Sequence, residues 1–143
     1  MNSPLGLIAV TLLLGTGSAL KAQHVPQGSA ISIQRPTVTA FYPPVSKGDE
    51  ANADANEALS DFQFYAGRVK EPLKKLGIDF QELYVHSFRI RLGQRIIAFL
   101  PKSDVGYYFI APGRKPHIEY GVMTDADLIL VAKRYFGLDS RHN

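Results

Sequence analysis

Apolar side chains along this chain alternate between a helical spacing and a spacing of two, and the changes of period mark out its elements. In residues 54–76 the positions Ala55, Leu59, Phe62, Ala66, Val69, Leu73 and Leu76 advance by alternate steps of four and three. That spacing sets one apolar stripe along an α-helix. Glu57, Asp61, Arg68, Lys70, Lys74 and Lys75 mostly fall on its other faces, and Glu71 with Lys75 forms a favourable (i, i+4) pair. Pro72 removes one backbone hydrogen bond and crowds residue 68, which predicts a kink or a short second helix with Pro72 in its first turn. Gly77 is a natural stop. A second helical pattern covers residues 125–136, with Leu128, Val131, Ala132 and Tyr135 as its stripe. Thr124 is suited to the N-cap and Asp127 to the capping-box position. Lys133 and Arg134 sit where the helix dipole favours cations, and Gly137 ends the helix.

Period two appears elsewhere. Residues 35–42 are rich in β-branched and aromatic side chains and predict a strand that Pro43 and Pro44 terminate. Residues 45–52 read as a loop, and residues 78–84 as a strand with Ile78, Phe80 and Leu83 inward. In residues 87–100, Phe88, Ile90 and Leu92 alternate with Ser87, Arg89 and Arg91, and Gly93-Gln94 suits a type II′ turn. The resulting hairpin places Ile90 opposite Ile97 and Phe88 opposite Phe99. A second hairpin joins residues 105–111 to 117–123 through Pro112-Gly113. Its first arm is apolar on both faces and predicts a central strand; Pro116, His117 and Glu119 on the second suit an edge.

Composition narrows the chemistry. The 143 residues suit one domain and include no cysteine. Thiol catalysis, thiol redox chemistry and disulfide stapling are therefore excluded. Residues 5–20 form an apolar run, interrupted by Gly15 and Gly17 and followed by small residues at Ser18, Ala19 and Ala22. It is shorter than the ~20 residues of a membrane span and matches a signal peptide over residues 1–22, cleaved after Ala22 or after Ala19, with an uncleaved N-terminal anchor as the alternative. Without a cysteine after it, no lipid anchor is expected. The expected organisation is signal peptide 1–22, flexible lead-in 23–35, one domain at 36–138 and a tail at 139–143, with a periplasmic or secreted destination. The net charge is +3. It is too small and dispersed for a nucleic-acid stripe, and no stable membrane span is expected after cleavage.

The element order is strand, helix, strand, hairpin, strand, strand, helix. With the hairpin set aside, it is similar to a thioredoxin fold whose second helix is missing. Residues 106–137 carry the closest likeness: two antiparallel strands joined by a Pro-Gly turn, Gly121-Val122, a Thr-capped start and a final helix. They resemble the end of exported TlpA-like thioredoxins. Phe41-Tyr42-Pro43-Pro44-Val45 is similar to that family's aromatic pair and Cys-Pro-Pro-Cys segment. The resemblance implies an α+β fold with a thioredoxin-like mixed sheet, two main helices and a β-hairpin replacing the second helix. It also implies that Tyr42 and Val45 stand at the two cysteine positions, and that the family's cis-proline position, near Val105 or Gly106, holds no proline. The fold is expected and the redox activity is not. The fallback is an antiparallel sheet covered by two helices.

Three groups of residues are candidates for binding. Arg89, Arg91 and Arg95 gather guanidinium groups on the first hairpin, where paired donors suit carboxylate or phosphate. The same residues also serve to keep a sheet face soluble. Tyr107 belongs to an aromatic group in the second hairpin that suits a binding surface or a core. His117 and Glu119 are two apart on one strand and face one way, yet zinc needs three or four ligands. No catalytic motif, metal site or cofactor site is expected; Asp125 and Asp127 are read as helix-start residues. The reading is an exported, non-enzymatic binding module for an unknown protein or a small anionic ligand. The alternatives are an enzyme with a site scattered around His117, Glu119 and Tyr107, and a structural domain of an envelope assembly.

Overall fold

Residues 29–42, 53–85, 87–100 and 105–139 are described, in a computed structural model. The expected signal peptide, the loop at 45–52, His24, His86 and His142 lie outside them. The elements are β1 (Ala30–Ser32), β2 (Thr37–Phe41), α1 (Ala53–Lys75), β3 (Asp79–Leu83), β4 (Phe88–Leu92), β5 (Arg95–Phe99), β6 (Gly106–Ile110), β7 (His117–Tyr120) and α2 (Asp125–Phe136). Two helices and two mixed sheets make this an α+β fold.

The main sheet has the order β3-β2-β6-β7. Strand β2 runs parallel to β3 and antiparallel to β6, and β6 runs antiparallel to β7. The chain between β3 and β6 is the predicted hairpin, with Phe88 opposite Phe99 and Ile90 opposite Ile97. At its turn Gly93 has φ 58 and Gln94 is not positive, the pattern of a type II′ turn. One correction concerns the lead-in. Ala30–Ser32 forms β1, parallel to β4, so the hairpin is part of a three-stranded sheet β1-β4-β5. Ile31 and Ile33 face inward with the spacing of a strand, and Ile33 is buried.

Strands β2 and β6 are buried along their whole length because each carries apolar side chains for two cores. Val38, Ala40, Tyr107 and Phe109 face the helices, packing with Phe62, Val69, Leu73, Leu128 and Ala132. Phe41, Tyr108 and Ile110 face the other way, against Ile33, Phe88, Ile90 and Phe99. The layers are therefore helices, main sheet and small sheet. Fully burying a side chain of this size is worth about 1.5–3 kcal/mol.

Helix α1 continues through Pro72 as one element, without the separate second helix. Its buried positions are Phe62, Ala66, Val69 and Leu73, the middle of the predicted stripe. In α2 the buried stripe is Leu128, Ala132 and Phe136, so Phe136 takes the core place expected of Tyr135. The Thr124 hydroxyl accepts the Asp127 N–H at 3.2 Å and donates to the Asp127 carboxylate at 2.8 Å. Gly137, at φ 70, ends the helix. Arg68 Nε donates to Asp125 Oδ2 at 3.2 Å and ties the two helices together. Among the described residues, no helix is long and apolar enough to cross a membrane.

Candidate functional site

The hairpin arginines divide between two faces. Arg89 and Arg91 alternate with buried Phe88 and Ile90, so they project from the outer face of the small sheet. Arg95 pairs with Leu92 across the turn, in the row that holds Ile90 with Ile97. It therefore stands on the inner side, at the hairpin tip, where the main sheet no longer covers it.

There Arg95 meets a part of the chain that sequence reading passed over. A groove of ≈ 520 Å³ lies between the tips of the two hairpins. Leu92, Arg95 and Ile97 line one side; Arg114, Lys115 and Pro116 of the β6–β7 turn line the other. The turn is fixed in place. Gly113 supplies a left-handed φ of 77, and the Arg114 N–H donates to the Ala111 carbonyl at 3.2 Å. Arg114 Nη1 donates to the Tyr135 carbonyl at 2.7 Å, satisfying an end group of α2. The Tyr135 hydroxyl donates back to the Lys115 carbonyl at 2.6 Å. Burial pushes the Tyr135 phenol up, opposed by the charge of Arg114.

Three cations thus share one groove, and no carboxylate is among the described residues that line it. An exposed ion pair contributes about 0.2–1 kcal/mol, more where guanidinium and carboxylate meet through two hydrogen bonds. The arrangement suits an anion. A second groove, of ≈ 380 Å³, is lined by Gln34, Arg35, Thr37, Asp79 and Gln81. Its arginine is already engaged, with Asp79 at 3.7 Å and with the Gly77 carbonyl at 3.3 Å.

The other predicted residues do not join the basic groove. Tyr107 is fully buried beneath the helices, and its hydroxyl accepts the Met123 N–H at 3.3 Å. This corrects its place among the binding residues: it is core. Burial pushes its phenol up. His117 Nε2 and Glu119 Oε1 lie 2.6 Å apart on the edge strand β7, and the imidazole stacks on Tyr135 at 5.9 Å. These two groups are spent on one another beside the groove-forming turn. Among the described residues, no group of three or more His, Asp or Glu could hold a metal ion.

Sequence reading missed Arg114, Lys115 and Glu82. The two cations lay in a turn, and nothing local shows that this turn faces another hairpin. Glu82 was detectable, because it shares the helix-facing side of β3 with Phe80 and Tyr84. Half-buried there, its carboxyl is pushed up by burial and only partly pulled back by Lys70.

The chain matches no known family model, no curated protein and no solved structure.

Proposed function

We propose that the protein is an exported, redox-inactive and non-enzymatic binding module, and that it holds an anionic ligand in the groove between its two hairpin tips. The observation that carries the reading is the convergence of Arg95, Arg114 and Lys115 on one groove with no carboxylate among the described residues that line it. The frame is thioredoxin-like in this proposal. The order β3-β2-β6-β7, with one parallel pair and both helices packed on one face, supports it. The three-stranded sheet occupies the opposite face. With Tyr42 and Val45 in place of two cysteines, such a frame has no sulfur with which to exchange a disulfide. Export rests on residues 1–22, whose apolar run and small-residue end suit a signal peptide.

Calorimetric titration of the full chain with sodium acetate and with inorganic phosphate, at low ionic strength, tests the binding. Saturable binding is expected for the wild type. Loss of two exposed cations in Arg95→Gln/Lys115→Gln is expected to weaken it about 2- to 30-fold. Equal affinity in the wild type and this double variant overturns the assignment.

A further inference from the structure

We infer that the ligand is an amphipathic anion, in which a carboxylate or phosphate head carries a short hydrocarbon chain. This rests on the anion-binding reading above and adds what the head group is attached to. The evidence is the floor of the groove. Ile90 is fully buried, yet its cross-strand partner Ile97 remains half-exposed. Leu92 is half-exposed beside it, and Pro116 faces both from the opposite hairpin. Ile97 stands outside the buried cluster that takes up Phe88, Ile90 and Phe99. At the hairpin tip Leu92 packs against that cluster on one side and stays half-exposed on the other, while Ile97 is left outside it.

Apolar floor and cationic rim therefore meet at one place. A bare inorganic ion satisfies the rim and leaves Leu92 and Ile97 wet. A neutral hydrocarbon covers the floor and leaves the cations unused. An amphiphile satisfies both, and a groove of ≈ 520 Å³ is within the usual size of small-molecule sites. Arg114, fixed by Tyr135, supplies a stationary charge; Arg95 and Lys115 are exposed and able to close on a head group. Burying a methylene is worth about fourfold in affinity when complete, so about twofold on a half-covered floor.

The test is a calorimetric series on the full chain with acetate, butyrate, hexanoate and 1-hexanol, all monomeric, and with vesicles of an anionic phospholipid. Hexanoate is expected to bind at least about tenfold more tightly than acetate, because four more methylenes reach the floor, and more tightly than 1-hexanol, whose neutral head leaves the cations of the rim unused. Ile97→Thr, which keeps the β-branch, should reduce the ratio of hexanoate to acetate affinity, the gain from chain length; Arg95→Gln should weaken acetate and hexanoate alike and leave that ratio in place. If acetate and hexanoate bind equally and both weaken in Arg95→Gln, the amphiphile inference fails and the anion reading stands. If no carboxylate binds, the amphiphile inference fails, and if inorganic phosphate does not bind either, the anion reading fails with it. Sedimentation with the vesicles without binding of hexanoate also overturns the inference, in favour of a membrane surface.

Discussion

Substituting Gly106 by alanine probes the packing between the two sheets. Gly106 lies on the central strand β6, opposite Phe41 of β2 and Tyr120 of β7. A Cβ there meets the Glu119 carbonyl oxygen at 2.5 Å and the Phe41 Cζ at 2.6 Å. Neither can give way easily. The carbonyl belongs to the adjacent strand. The Phe41 ring is fully buried, with Phe99 at 5.2 Å and Tyr120 at 6.1 Å between ring centroids. Overpacking a well-filled core costs about 1–3 kcal/mol, and a backbone obstruction puts this site at the upper end. About 3 kcal/mol corresponds to a fall in Tm of about 10–20 °C for a domain of this size. Thermal and urea unfolding followed by circular dichroism measure it. Gly67→Ala is the control: its Cβ meets nothing within 4 Å on an exposed part of α1. It should stabilise by about 0.5–1 kcal/mol through helix propensity. A Gly106→Ala protein within about 0.5 kcal/mol of wild type would refute the packing of Phe41 against this strand.

Thr124→Ala should cost about 1 kcal/mol in urea unfolding, since the Asp127 N–H loses its cap; an unchanged midpoint contradicts that role. Glu82 has a folded pKa raised above 4.5, so its contribution to stability is full below that pH and is lost as pH rises through the folded value. Glu82→Gln should therefore be more stable than wild type at about pH 8, with the gain fading at about pH 4; lower stability at pH 8 means that Lys70 outweighs burial. Burial likewise raises the phenols of Tyr84, Tyr107, Tyr108 and Tyr135 above 10.0. Tyrosinate absorbance should lag that of the urea-unfolded chain near pH 10, and stability should fall as pH rises through those values; coincident titration curves contradict it.

Elements with strong local periodicity were legible in the sequence. The β4–β5 register followed from two apolar pairs and a glycine-first turn, and β6 was central because both its faces are apolar. Short or tertiary features were harder to see. Three residues of β1 carry too little pattern to stand out from a polar lead-in, although Ile31 and Ile33 already alternate. Proximity in sequence groups Arg95 with Arg89 and Arg91, whereas the register puts it on the opposite face. Tyr107 shows why an aromatic in a two-faced strand belongs to the core. Arg114 and Lys115 became a site only when folding brought the β6–β7 turn against another hairpin, a juxtaposition no local spacing encodes.

Amide chemical-shift mapping during a hexanoate titration tests most directly whether the cleft between the hairpin tips is where an anion settles. The expected result is saturable shifts at Leu92, Arg95, Ile97 and residues 113–115, with the amides of Arg89 and Arg91 nearly still. Shifts concentrated on Arg89 and Arg91, or spread over the surface without saturation, would contradict the account.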